Sequence, residues 1–199
     1  MESVRRLVSW GFRRLVSYCG FDLSPGTEDR LVLENAIFPY FLERDEFSNI
    51  LFVGCHWYTR RYNKIFRDKT YWTLEIDPEK SQYGAKRHVV DSMENLRTHF
   101  DEGELDLILC NGVFGWGLNE PNAVEKAFQE CFECLRDGGV LVIGWNDIPK
   151  RCPFPLEEIQ ALKQFHPFVF PPLSAAEYLT SGSGRHTYGF YVKHPDIQS

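Results

Sequence analysis

Ile50-Leu51-Phe52-Val53-Gly54-Cys55-His56-Trp57-Tyr58-Thr59 decides how the rest of the chain is read. Apolar residues running into one glycine have the form of a buried strand that ends in a tight turn. A nucleotide-binding turn starts this way. Such turns continue with further glycines, which let the backbone approach a ligand closely. Here His56, Trp57 and Tyr58 follow instead. Two readings stay open on these residues. Either the loop is re-routed and its rings wall a site, or the rings fill the site.

Working outward, strands and helices alternate from Ser48 onward. Strands are expected at 49–53, 71–76, 88–90, 105–110 and 140–145, and helices at 60–66, 79–83, 93–100 and 121–135. Short apolar strands alternating with helices imply an α/β fold, a parallel sheet covered on both faces. After Asp147 the order shifts to a helix at 156–165, a strand at 168–172, a Gly/Ser turn at 181–184 and a last strand at 186–193. This tail reads as a closing β-hairpin.

Upstream, a near-repeat (RRLVSWGF, then RRLVSYCGF) lies in a basic amphipathic helix over 4–19, ended by Gly20. Val4, Val8, Leu15 and Cys19 share one face, with Arg6, Arg13 and Arg14 largely opposite. Packing against the domain is the preferred reading, and peripheral contact with an anionic membrane surface the alternative. A second helix is expected over 28–42, with Pro39 disturbing its end. The organisation expected is a single domain overall, a helical extension at 1–47 leading into an α/β unit at 48–199.

The chain has 199 residues, enough for one sizeable core. A net charge of −6 argues against a nucleic-acid binder. Aromatics at 15% suit a pocket for a flat or apolar ligand, and equally a Phe-rich core. The six cysteines read as reduced thiols. Cys131 and Cys134 form a C-x-x-C with no second pair to complete a zinc site. No acidic cluster at metal-ligand spacing is visible, so no metal is expected. No apolar run reaches the roughly 18 residues of a membrane span, and a cytoplasmic enzyme is expected.

In open parallel sheets ligands bind beyond the carboxyl ends of the strands, so the residues after each strand matter most. Val53, Gly54 and Cys55 follow the first. Glu75, Ile76 and Asp77 follow the second, with Glu75 placed 21 residues beyond Gly54. An acid at about that spacing reaches ribose hydroxyls. Asp91, Ser92 and Met93 follow the third, a polar and apolar pairing suited to adenine. Asn111 and Gly112 follow the fourth, and Asn146 and Asp147 the fifth.

With these tips in order, the chain resembles the class I S-adenosylmethionine-dependent methyltransferases over about 49–147. ILFVGC stands at their glycine loop, LEIDPE at their ribose-binding acid and HVVDSMENL at their adenine segment. DLILCNGVFGWG stands at their fourth strand and CLRDGGVLVIGW at their Leu-(Arg/Lys)-x-Gly-Gly turn. The resemblance implies a Rossmann-like sheet of seven strands, mostly parallel with the last antiparallel, and S-adenosyl-L-methionine as cofactor. The cofactor residues it implies are Val53, Gly54, Cys55, His56, Tyr58, Arg60, Glu75, Ile76, Asp77, Asp91, Ser92, Met93, Asn111 and Gly112.

The chain departs from the family pattern at Phe52, where an acid is usual, and at His56 and Tyr58, where glycines are. In the re-routed reading, Thr59 caps the next helix and Arg60 or Arg61 pairs the cofactor carboxylate. Candidates for a general base are His56, Asp147 and, ranked below them, His186. Phe114, Trp116, Trp145 and Asn146 form the expected acceptor pocket. The expected activity is O- or N-methylation of a small metabolite or glycan-type acceptor. A cofactor-free methyltransferase-like scaffold is the alternative. A dinucleotide reductase is disfavoured because G-x-G-x-x-G is absent.

Overall fold

The computed structural model describes residues 27–194. The basic helix expected over 4–19 lies outside the described residues. The chain enters through α1 (Glu28–Val32), one π-helical turn (Leu33–Ile37) and α2 (Phe38–Leu42), with Pro39 tolerated in the first turn of α2.

The strands that follow are β1 (Asn49–Val53), β2 (Thr70–Glu75), β3 (Arg87–Val90), β4 (Leu105–Asn111), β5 (Leu135–Asn146), β6 (His166–Pro167), β7 (Glu177–Leu179) and β8 (His186–Val192). Their order is β3-β2-β1-β4-β5-β8-β6, with β7 also on β8. β1 to β5 pair in parallel. β8 is antiparallel to β5, and β6 and β7 share its other edge. The sheet is therefore seven positions wide, mostly parallel, with an antiparallel end.

Alternation along the central strands supplies two cores. Leu51 and Val53 of β1, Ile108 and Cys110 of β4, and Leu141 and Ile143 of β5 face one side. There they meet α4 (Pro121–Cys134), whose Val124, Ala127, Phe128 and Cys131 form its apolar stripe. Ile50 and Phe52, Leu107 and Leu109, and Val140 and Val142 face the other side. These pack on Leu33, Ile37, Phe38 and Phe41 of the entry helices and on Tyr62 of α3 (Tyr62–Ile65).

Several local expectations are corrected. The helix expected at 93–100 is a 3-10 run, Met93–Thr98, broken at Asn95 (φ −121°). That at 156–165 is two short 3-10 turns, Leu156–Glu158 and Ala161–Gln164. The strand expected at 168–172 does not form, because Pro171 and Pro172 have no N–H to give a ladder. Within it only an isolated bridge forms, Phe170 to Ala175, and regular pairing lies on either side, in β6 and β7. β5 begins five residues early, at Leu135, and runs through the Gly138-Gly139 pair.

Candidate functional site

The carboxyl ends of β1 to β5 open on one cavity of about 1090 Å³, at the top of the roughly 300–1,000 Å³ range of small-molecule sites. Its wall includes Val53, Gly54, Cys55, His56, Tyr58, Glu75, Ile76, Asp91, Ser92, Met93, Asn111, Gly112, Trp116 and Asn146.

Gly54 turns the chain at φ +89°, a conformation in which a side chain is strained. Its N–H donates to Leu74 O at 2.9 Å, holding the loop on β2. The next N–H, of Cys55, donates to Glu75 Oε2 at 2.7 Å. Glu75 Oε1 accepts from Asp77 N–H at 3.1 Å and faces Lys80 Nζ at 3.5 Å. Glu75 is thus buried but charge-paired, with its carboxylate fixed in the cavity wall. Burial, and then Glu75, push the Cys55 thiol up to about 11, so it stays protonated and inert.

The rings after the turn do not fill the cavity. Trp57 is 50% exposed and is not part of the lining. His56 and Tyr58 stack at 4.7 Å between centroids and stand as wall. Thr59 Oγ1 accepts from His56 N–H at 3.0 Å and donates to His56 O at 2.9 Å, fastening the 3-10 turn Trp57–Thr59.

At β3's end, Asp91 accepts from Ser92 N–H at 2.7 Å and Asn95 Nδ2 at 2.8 Å, and pairs with His99 Nε2 at 2.8 Å. His99 first, then Asn95 and the Ser92 N–H, hold its carboxyl down at about 2. Ser92 receives Glu94 N–H at 3.3 Å, and Met93 lies buried against Cys110. Gly112, at φ +70°, has nothing within 4 Å of where a Cβ would stand.

Other expected site residues lie elsewhere. Phe114 is fully buried and packs on Phe154, and Trp145 belongs to the same core. These two apolar side chains turn under the loop, where the core offers dry surface. Arg60 is exposed and outside the cavity wall, and Arg61 pairs with Glu34. Asp77 caps the 3-10 turn Pro78–Tyr83 through Glu79 N–H at 3.0 Å and is not part of the lining. Asp147 pairs with Arg185 at 2.7 Å, outside the lining. Trp116 donates from Nε1 to Asn146 Oδ1 at 3.0 Å, with Arg151 over its ring at 3.4 Å.

The cavity also gathers Arg30, Asp29, Thr180, Ser183 and Lys80, which the strand-tip reading passes over, and His186, which it ranked last among the base candidates. Arg30 is buried, lies 4.0 Å over the Tyr58 ring and donates to Tyr62 Oη at 2.7 Å. Tyr62 Oη in turn donates to Glu34 Oε1 at 2.9 Å. His186, Thr180, Ser183, Asp29 and Lys80 complete the wall. Lys80 had a local signal, the i,i+3 spacing from Asp77. Arg30 and His186 reach the site only through long-range packing.

The donor set fits an adenosine-bearing sulfonium amino acid. A carboxylate stands at β2's tip, apolar Ile76 and Met93 flank it, Gly112 leaves room for close approach, and a buried guanidinium stands across the loop. Residues 51–143 match a family model described as a methyltransferase domain. No curated protein matches the chain. Among solved structures it is similar to the N-methyltransferase NodS from Bradyrhizobium japonicum (TM-score 0.61, 14% identity, 87% of this chain and 100% of that one). It is also similar to a TehB-like SAM-dependent methyltransferase from Corynebacterium glutamicum (TM-score 0.55, 17% identity, 96% and 98%). At these identities the likeness is one of fold.

Proposed function

We propose that the chain, whose residues 51–143 match a methyltransferase domain, is a class I S-adenosylmethionine-dependent enzyme that transfers a methyl group to oxygen or nitrogen of a small metabolite or glycan-type acceptor. The observation that carries the reading is the open cavity at the strand tips, with His56 and Tyr58 in its wall and not in its space. The scaffold reading has those rings filling the space.

When bound, S-adenosylmethionine supplies a methyl group already activated on sulfur. The protein's part is to hold both partners in line and to dispose of a proton. In this assignment Glu75 receives the ribose diol. Ile76 and Met93 flank the adenine, with Asp91 and Ser92 at its polar edge. Gly54, Cys55, Asn111 and Gly112 border the amino-acid end. Arg30, kept flat on Tyr58, replaces Arg60 and Arg61 as the partner of the carboxylate, because its guanidinium is the one in the wall. Trp116, Asn146 and His186 border the acceptor. Size supports a small acceptor, since one cavity must hold both molecules. The acids Glu28, Asp29 and Glu120 in the wall disfavour a polyphosphate acceptor.

Among the described residues no helix is long and apolar enough to cross a membrane. Five cysteines there are free, which supports a reducing, cytoplasmic setting.

Calorimetry with S-adenosylhomocysteine tests the reading. Binding in the micromolar range with a rise in melting temperature is expected. No heat at millimolar ligand would remove the enzyme reading.

A further inference from the structure

His186 opens β8 and stands in the cavity wall, yet it is only 7% exposed. Its Nε2 lies 3.0 Å from Asn111 Oδ1, a contact between residues 75 apart in sequence. Asn111 ends β4, and β5 runs between the two strands that carry the pair. The residue of β5 beneath them is Gly144. A Cβ there would come within 2.0 Å of Asn111 Oδ1 and 2.8 Å of His186 Nε2. The three strand tips are fitted to this one hydrogen bond: an amide, an imidazole and a glycine that vacates the space between them.

The bond fixes the tautomer. An amide oxygen only accepts, so Nε2 carries the hydrogen and donates it, leaving the lone pair on Nδ1. Among the described residues nothing donates to Nδ1, and it is not among the sealed polar atoms that lack a partner. The Tyr188 ring packs edge-on against the imidazole, 4.8 Å between centroids. Asp29 and Arg30 are the charged groups felt at the ring. Burial first holds the imidazole at about 4, Asp29 opposing and Arg30 reinforcing, so it is neutral at neutral pH.

We propose that His186, locked by Asn111 across Gly144, aligns the acceptor by accepting the hydrogen of its nucleophilic hydroxyl or amine at Nδ1. The inference rests on the methyl-transfer reading and narrows it to acceptors that carry a hydrogen on the attacking atom, which excludes carboxylates. The acceptor's lone pair forms the new bond to the methyl carbon while the carbon–sulfur pair stays with sulfur. A hydroxyl's proton passes to Nδ1 as the oxonium forms and from there to solvent, whereas an amine is held by the same hydrogen bond, leaves as the alkylammonium and loses its proton in solvent. His56, exposed on the loop, and Asp147, tied to Arg185, have no such locked lone pair in the wall.

The tautomer is tested first, with no acceptor needed. Long-range 15N–1H correlation NMR of the full chain saturated with S-adenosylhomocysteine is expected to show His186 protonated at Nε2 only at pH 7. An Nδ1–H tautomer or an imidazolium at that pH overturns the proposal. Gly144→Ala, which keeps the imidazole but crowds the pair, is expected to lose the single tautomer; an unchanged spectrum counts against it. Acceptor class is then read as S-adenosylhomocysteine released from S-adenosylmethionine with three mixtures: sugars and polyols, primary amines, and carboxylates. Release is expected with the first or second, falling about 100-fold in His186→Asn and in His186→Gln. Release from carboxylates alone, or undiminished release in both variants, overturns it. S-adenosylhomocysteine affinity in the variants is expected to stay within about twofold of the parent. Loss of cofactor binding by the parent itself would strike the methyl-transfer reading, whereas a wrong tautomer with binding intact strikes His186 alone.

Discussion

The two halves of the cavity are built on different principles. At the tips of β1 to β3 every fixing bond is short in sequence. Glu75 holds Cys55, 20 residues back, and Asp77, two ahead. Asp91 gathers Ser92, Asn95 and His99 within eight residues. Across the cavity the bonds reach further, from about 30 residues to most of the chain. Tyr188 Oη donates to Asp29 O at 2.9 Å over 159 residues, and Ser181 donates to Glu28 over 153. The first half takes shape once two adjacent strands pair. The second exists only when the whole sheet is assembled. In the proposed assignment the first half holds the cofactor and the second meets the acceptor.

Arg30 belongs to the long-range half but is assigned here to the cofactor, so its removal is the severest test of this division. Arg30→Ala is expected to weaken S-adenosylhomocysteine binding by about 3 kcal/mol, the upper range for a charged hydrogen bond. Arg30→Lys is expected to restore only part, because an ammonium lacks the planar fork. An unchanged dissociation constant in calorimetry would return Arg30 to the acceptor side. Glu75→Ala comes next, with a loss of roughly 2 kcal/mol in the same measurement. Equal affinity would show that the carboxylate serves only the Cys55 and Asp77 N–H groups.

Asp91→Asn is expected to cost about 1 kcal/mol of stability in denaturant melts, because the pair with His99 is partly exposed. A loss several times larger would mean that the local half is no more self-contained than the other.

A separate test is one of pH. An unfolded imidazole takes up its proton near 6.5, whereas folded His186 waits until about 4. Between those values the unfolded state binds the extra proton, so stability falls as pH drops through that window. Asp91 acts in the same direction but only lower, as pH falls from the ordinary 3.8 to about 2. Thermal melts from pH 7 to 4 should therefore decline in the parent and be flatter in His186→Asn. Parallel slopes would place His186 in water.

Legibility follows the same division. Gly54, Glu75, Asp91 and Asn111 could be placed because a parallel strand exposes its last residues in a fixed direction. The sheet itself was legible from period and length in β1, β2 and β4. Phe114 and Trp145 were misplaced because a strand-tip position does not say whether a side chain turns above or below the loop. The expected helices at 93–100 and 156–165 have helical spacing, but tertiary packing settled them as 3-10 turns. Arg30 gave no local sign of its role. It is one basic residue in an acidic first turn, and its meaning comes from Tyr58 and Tyr62, both about 30 residues away.

The Asp29–Tyr188 hydrogen bond has a consequence for how the molecule is made. Closing a loop of that length is entropically costly, and contacts so far apart form after local ones in most chains. A folding chain would therefore pass through states in which the β1 to β3 tips are in place while the opposite wall is still open. In native-state hydrogen exchange the amides of β8 and α1 should open at lower free energy than those of β1 and β4. Nascent chains would hold half a pocket until β8 arrives.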